Sequence, residues 1–387
     1  MTHVPNFDAT TADQLRKNGS VKWTRFPGTI GAFVAEMDFG TAPAVTAALH
    51  DAVDLHRFGY LPEAVSTEMS VATAQWCRTA YGWDVPAERI HPLADVITAL
   101  VMAIEHFSAP GSKVILPTPA YMPFFVVPGR LGREIIRVPL LEVDGTFRFD
   151  LEGLECAFHD GGNLLILCNP YNPVGRVFDR EELLAVSEVV ARNGGRVFSD
   201  EIHAPMVYHP ARHVPYASVS RDAAAHTLTA TSASKAWNLP GLKCAQVILS
   251  SGADVERFDT IRSALSHGAS NLGVLANTAA YTSGGQWLSS VIEYNDGNRH
   301  HLADLLREHI PSIRYTPPEG TYIAWLDVRH LNLGEHPSEF FRTEAGVAMT
   351  DGADCGAPAG FLRFVFATPR PIITQAVLQM AQALRKR

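Results

Sequence analysis

The chain has 387 residues, enough for two domains or for one large domain with a smaller appendage. Its apolar content of 47% and charged content of 19% are ordinary for a globular enzyme. A net charge of −8 argues against nucleic acid as a partner, because phosphate binding needs a basic face, and no apolar run approaches the roughly 18 residues of a membrane span.

The first 22 residues are polar and lack the apolar stretch of a secretory signal. Pro43 to His56 carries helical spacing with proline in its first turn, and Ala94 to Phe107 reads as an apolar helix with Asp95 near its start. Short β-rich runs follow at Lys113–Leu116, Glu134–Val138, Leu164–Leu167, Arg196–Ser199, Thr227–Thr231 and Cys244–Leu249, with helical stretches such as Arg180–Arg192 between several of them. The alternation predicts an α/β fold with a largely parallel sheet covered on both faces. After about Gly284 the texture changes. A long helix (Gln286–His309), a Pro-Pro-Glu-Gly turn at Pro317, strands at Tyr322–Val328, Gly346–Thr350 and Phe361–Phe366, and a helix from Pro371 predict a smaller α+β domain. The expected division is therefore a large domain over 43–284, a small one over 285–387, and an N-terminal segment, 1–42, joining the small domain.

Five scattered cysteines without a Cys-x-x-Cys pair read as reduced thiols in a cytoplasmic protein. His203, His209 and His213 are the closest cluster among 16 histidines, but their spacing fits no standard zinc pattern, so no metal is expected.

Three motifs fall after predicted strands, where ligands of parallel α/β sheets sit. They are Asn-Pro-Tyr-Asn-Pro-Val-Gly (Asn169–Gly175), Ser-Asp-Glu-Ile-His (Ser199–His203) and Thr-Ser-Ala-Ser-Lys (Thr231–Lys235), the last running on to Gly-Leu-Lys at Lys243. Of 32 basic residues only six are lysine, and two of these fall within nine positions here. Arginine cannot serve as an imine-forming amine. Together the motifs supply what pyridoxal phosphate chemistry needs: an amine, a carboxylate for the pyridine nitrogen, an amide for the ring oxygen and donors for the phosphate. Each residue also has a plainer reading. Asp200 could cap a helix, Asn172 could serve a turn between prolines, and Tyr121 could be a core tyrosine rather than a ring-stacking one. Ser232 and Lys243 flank the candidate amine. The amides of Val96 and Ile97 can face an anion while the Asp95 side chain caps their helix.

These residues closely resemble fold-type I pyridoxal-phosphate enzymes of the class I/II aminotransferase superfamily, and within it the cystathionine β-lyase-like, carbon–sulfur lyase branch. Further segments carry the resemblance: Ser-Val-Lys-Trp (Ser20–Trp23), Val-Ala-Glu-Met-Asp-Phe (Val34–Phe39), Phe-Gly-Tyr (Phe58–Tyr60), Glu-Gly-Thr-Tyr-Ile-Ala-Trp-Leu-Asp (Glu319–Asp327) and Phe-Leu-Arg-Phe-Val-Phe-Ala-Thr-Pro-Arg (Phe361–Arg370). The resemblance implies a seven-stranded, mostly parallel sheet and pyridoxal 5'-phosphate as cofactor. Lys235 would form the imine, Asp200 would pair with the pyridine nitrogen, Asn172 would contact the ring oxygen with His203 nearby, and Tyr121 would stack on the ring. Ser232 and Lys243 would hold the phosphate. Tyr60 would reach the neighbouring subunit's cofactor, which implies a homodimer with shared sites. Arg363 would bind the substrate α-carboxylate, with Phe33 and Ala35 beside the substrate. The chain departs from the branch at Phe33 for Trp, Glu36 for Asp, Tyr171 for His and Asp95 for Gly; Phe33 and Tyr171 bear on the substrate pocket. The implied function is β-elimination from L-cystathionine or a related cysteine thioether. An aminotransferase on the same fold and a catalytically quiet regulatory or binding protein are the competing readings.

Overall fold

The structure is a computed structural model that describes residues 6–143, 145–265 and 268–387. The chain forms two compact units. The larger comprises Thr41–Pro170 and Val177–Leu288; the smaller comprises the chain up to Gly40, the short segment Tyr171–Arg176, and Ser289–Arg387.

The larger unit is built on a seven-stranded sheet ordered Ile90–Leu93, Ala245–Leu249, Thr227–Thr231, Arg196–Asp200, Gly162–Cys168, Lys113–Thr118, Ile135–Pro139. The last five pair in parallel, while Ala245–Leu249 runs antiparallel to both its neighbours. Strands covered on both faces need unbroken apolar runs, and Leu164–Leu167 are all buried. The intervening helices start where side chains satisfy their first amides: Asp179 and Glu182 form a capping box for Arg180–Arg192, and Asp95 caps Val96–His106. The strand Ile90–Leu93 was not anticipated. Its sequence, Ile-His-Pro-Leu, carries a proline that suits only an edge position, and the edge is where it lies.

In the smaller unit an antiparallel sheet runs in the order Arg314–Tyr315, Ile323–Asp327, Phe361–Val365, Thr350–Asp351. The single strand expected over Gly346–Thr350 is two. Val347–Ala348 pairs in parallel with Ile30–Gly31, and after Met349 the chain changes partner so that Thr350–Asp351 pairs with Phe361–Val365. A periodicity cannot register this change, because side chains on both pieces are buried. No helix among the described residues is long and apolar enough to cross a membrane.

Candidate active site

Asp200 ends its strand in the larger unit, buried at 5% exposure, and its Oδ1 accepts the Ile202 amide at 3.0 Å. Its own carbonyl takes the Asn169 amide at 3.0 Å, which joins two of the three motifs at adjacent strand ends. Burial pushes the Asp200 carboxyl up to about 7; the Ile202 amide and the nearby Lys235 charge pull it down, and Glu201 adds to the rise. A buried carboxylate of this kind fits a cationic partner such as a protonated pyridine nitrogen.

Lys235 lies in the turn after Thr227–Thr231, half-buried, and the turn is pinned on both sides. Asn277 Oδ1 accepts the Ala233 amide at 3.0 Å, Ser232 Oγ accepts the Ser234 amide at 3.0 Å, and Trp237 is fully buried with its indole N–H on the Gly284 carbonyl. The Ser232 hydroxyl donates to the Cys244 carbonyl at 2.6 Å, so here it shapes the loop.

The Val96–His106 helix offers the anion donors. Asp95 Oδ1 takes both the Thr98 amide (2.8 Å) and its hydroxyl (2.9 Å), while the Val96 and Ile97 amides have no acceptor among the described residues. Lys243, held at φ 50° after the Pro240–Leu242 turn, reaches Asp95 Oδ2 at 2.9 Å. Burial raises the Asp95 carboxyl, but Lys243 and the two Thr98 donors outweigh it and hold the group below the ordinary carboxylate range. Two orphan helix amides beside an ammonium suit a phosphate. Tyr121, half-buried, meets Phe124 edge-on with ring centroids 5.6 Å apart, and His203 is buried at 2% exposure. Tyr60 is 92% exposed, on a loop lining a cavity of about 630 Å³ with Arg57, Phe58, His91 and Arg262.

Asn172, Arg363, Phe33 and Ala35 belong to the smaller unit. Gly175 holds the Asn172 loop in shape: it adopts φ +74°, and a Cβ there would sit 2.2 Å from Pro318. Its carbonyl accepts the amides of Glu319 and Gly320, and Arg176 pairs with Glu319. Arg363, 2% exposed, donates from Nη2 to the Phe33 carbonyl at 2.7 Å and from Nη1 to Asn172 Oδ1 at 3.3 Å. A guanidinium can only donate, so this contact fixes the Asn172 amide with its oxygen toward Arg363. The NH2 end, the end a ring oxygen needs, is left uncommitted among the described residues. The Ala35 carbonyl accepts the Tyr322 hydroxyl at 3.1 Å, and the Phe33 ring packs edge-on against Phe26 at 5.1 Å. Tyr171 is buried at 2% exposure.

Sequence reasoning passed over Glu201. It is buried, accepts from Ser199 Oγ (2.8 Å) and the Tyr216 amide (2.9 Å), and pairs with His213 Nε2 (3.0 Å). His213, weighed above for metal, is thus a carboxylate's partner. Among the described residues no group of three His, Cys, Asp or Glu is placed to hold a metal ion. The only signal for Glu201 was an acidic residue following Asp200 at the end of an apolar strand.

A lysine turn and a buried aspartate at the carboxyl ends of parallel strands, with an anion-ready helix start nearby, define an enzyme built to hold a phosphorylated cofactor through an amine. The chain belongs to the aminotransferase class I and II family, whose model matches residues 33–378, and within it to the carbon–sulfur lyase branch of fold-type I pyridoxal-phosphate enzymes. It is 37% identical to the cystathionine beta-lyase of Corynebacterium glutamicum over 96% of this chain and 98% of that protein. Among solved structures it resembles cystalysin from Treponema denticola, which contains a pyridoxal 5'-phosphate cofactor, with TM-score 0.92 and 29% identity over 98% of this chain and 99% of that one. It also resembles the PLP-bound C-S lyase from Staphylococcus hominis, with TM-score 0.92 and 26% identity over 99% of both chains.

Proposed function

We propose that this protein is a pyridoxal-phosphate-dependent carbon–sulfur β-lyase that converts L-cystathionine or a related cysteine thioether, with water, into a thiol, pyruvate and ammonia. The observation that carries the reading is the buried Asp200 carboxylate under the influence of Lys235 at the ends of neighbouring parallel strands. The similarity to a cystathionine beta-lyase along nearly the whole chain supports the choice of elimination over amino transfer.

The cofactor, when bound, supplies an electron-withdrawing ring conjugated to the substrate Cα. Lys235 would hold the cofactor covalently through its amine, and the same amine is assigned removal of the substrate Cα proton. Asp200 would face the ring nitrogen and keep it protonated. Asn172 would offer its NH2 to the ring oxygen, with His203 beside it, and Tyr121 would supply a face for the ring. The Val96 and Ile97 amides and Lys243 would cradle the phosphate, with Ser232 joining them if its hydroxyl turned from the Cys244 carbonyl. Arg363 binds the α-carboxylate through its planar fork, and Phe33 and Ala35 border the substrate. With Cα deprotonated, the Cβ–S bond breaks and sulfur leaves with the electron pair.

We assign the protein a homodimeric state, with Tyr60 serving the other subunit's site, and a cytoplasmic location. The exposure of Phe58 (63%) and Tyr60 (92%) supports the first, and five scattered cysteines without a Cys-x-x-Cys pair support the second. Incubation with cystathionine and no keto acid should yield pyruvate and free thiol in equal amounts. Absence of both across a thioether panel, together with brisk transfer to a keto acid, would move the assignment to an aminotransferase. Sedimentation should give twice the chain mass; a monomer that turns over at full rate would overturn the shared site.

A further inference from the structure

Two of the segments that distinguish this sequence, Ser20–Trp23 and Val34–Phe39, have no part in the reaction as described apart from Ala35. The structure brings them together. Lys22 is 1% exposed and Asp38 is 7% exposed, and the Lys22 ammonium pairs with Asp38 Oδ2 at 2.8 Å. The indole N–H of Trp23 donates to the other carboxylate oxygen, also at 2.8 Å. Lys22 Nζ further donates to the Glu36 carbonyl at 3.2 Å.

A buried ion pair is a poor way to gain stability, since well-packed apolar residues usually do as well. What it does provide is a fixed geometry for the backbone it grips, and here that backbone has little secondary structure of its own. Beyond the two-residue strand Ile30–Gly31, residues 32–38 form neither helix nor strand. The Ala32 and Val34 carbonyls accept the Val365 and Glu36 amides, and three others are held by side chains. The Phe33 carbonyl accepts Arg363 Nη2 (2.7 Å) and Thr350 Oγ1 (3.2 Å), the Ala35 carbonyl accepts the Tyr322 hydroxyl (3.1 Å), and the Glu36 carbonyl accepts Lys22. The Asp38 amide then closes on the Ala367 carbonyl at 3.0 Å. The N-terminal segment approaches just as closely at the other end: a Cβ on Gly31 would lie 1.9 Å from the Lys22 carbonyl oxygen, so only glycine fits.

We infer that Lys22 and Asp38 are positioning residues for the substrate carboxylate site: their buried pair fixes residues 33–38 so that the Phe33 carbonyl holds the Arg363 guanidinium in a single orientation. The inference rests on the reading of Arg363 as the carboxylate clamp. Loosening the pair lets the Phe33 carbonyl drift, and displacements of the order of 1 Å at a binding group are costly. The loss falls on binding of the carboxylate, which is made equally before and during reaction, so it appears in KM rather than in kcat.

The test uses the holoenzyme with Lys22→Met, Asp38→Asn and Gly31→Ala, each measured for melting temperature, cofactor absorbance, kcat and KM on cystathionine. Inhibition by the amine analogue of cystathionine that lacks the α-carboxylate beside the scissile side gives a readout blind to the clamp. KM should rise about tenfold in each variant, with kcat within about threefold, and affinity for the amine analogue and cofactor absorbance should be unchanged. Asp38→Asn keeps an acceptor for Trp23, so it carries the test if Lys22→Met does not fold. An unchanged KM in a folded variant, or equal weakening of both ligands, would overturn the inference and leave the pair a fold tether. Arg363→Lys, measured alongside, separates the two readings. If its KM is unchanged, the clamp assignment itself is wrong; if its KM rises while the pair variants stay normal, only the positioning role fails.

Discussion

The two units meet the problem of charge in opposite ways. In the larger unit the charged groups are left partly unsatisfied by the protein. Asp200 is buried with its carboxyl pushed up to about 7, Lys243 and Asp95 pair with side chains 59% and 37% exposed, and two helix amides have no acceptor among the described residues. In the smaller unit Arg363 and Lys22 are at most 2% exposed, and their donors rest on carbonyls, Asn172 and Asp38. Under the proposed function the first set would be completed by the charges of a phosphate and a protonated ring, and the second would meet a substrate carboxylate with a guanidinium already held in place by protein acceptors. Changes to the charged groups of the larger unit should therefore register in cofactor binding, and changes to Arg363 and Lys22 in the smaller one in KM.

The largest break comes at Lys235, which the proposal gives both cofactor attachment and the Cα proton. Lys235→Ala should lower turnover by at least about a thousandfold with the circular dichroism spectrum unchanged. A variant of near-normal rate would remove the assignment. Asp200→Asn comes next: it should weaken cofactor binding and slow Cα deprotonation, and it tests the electrostatics directly. Because burial raises the Asp200 carboxyl from 3.8 to about 7, the folded apoprotein holds a proton that the unfolded chain has lost across that window. The group's contribution to stability is thus full below about pH 4 and is lost as pH rises through about 7. Thermal melts of the apoprotein should show this decline. Asp200→Asn should flatten it, and a slope that survives the substitution would show that Asp200 does not set it.

In the smaller unit Arg363→Lys replaces a two-pronged donor with a point charge. KM for amino acid substrates should rise on the order of tenfold, while the bound cofactor's absorbance is retained. Loss of cofactor instead would make Arg363 a structural residue and blur the division between the units.

How much of this could be read from the sequence follows the kind of interaction involved. Thr227–Thr231 and Arg180–Arg192 have the bounds expected, the first because its β-rich run meets a turn and the second because Asp179 marks its start. The placement of Lys235, Asp200 and Asn172 at or after strand ends was legible because each lies in a short motif beside a β-rich run. Pairings across distance were not. The Lys22–Asp38 bond spans 16 residues, and the side chain of Glu201 finds His213 through a loop, so neither leaves a periodic trace. The exchange of partners at Met349 and the edge strand at Ile90–Leu93 were hidden for the same reason: local propensity does not say which strand is next door.

The smallest expected effect sharpens the contrast most, because it concerns a residue at which the chain departs from the branch resemblance. Asp95 stands where the branch resemblance leads one to expect glycine, and it places a negative charge at the start of the helix proposed to receive a phosphate. Its Oδ1 does useful work as a cap for Thr98, whereas its Oδ2 occupies Lys243. Asparagine keeps an oxygen for the cap and removes the charge. Asp95→Asn should therefore tighten cofactor binding, both by releasing Lys243 and by ending repulsion with the phosphate. The pair is partly exposed, so the gain should be only about threefold to tenfold in Kd, shrinking as salt is raised. Titrating the apoprotein with pyridoxal phosphate by fluorescence, at low and at high ionic strength, reads both the size and the salt dependence. Weaker binding in the variant would mean that the Asp95 contact holds Lys243 in place for the phosphate, and the larger unit would then be preset by the protein as the smaller one is.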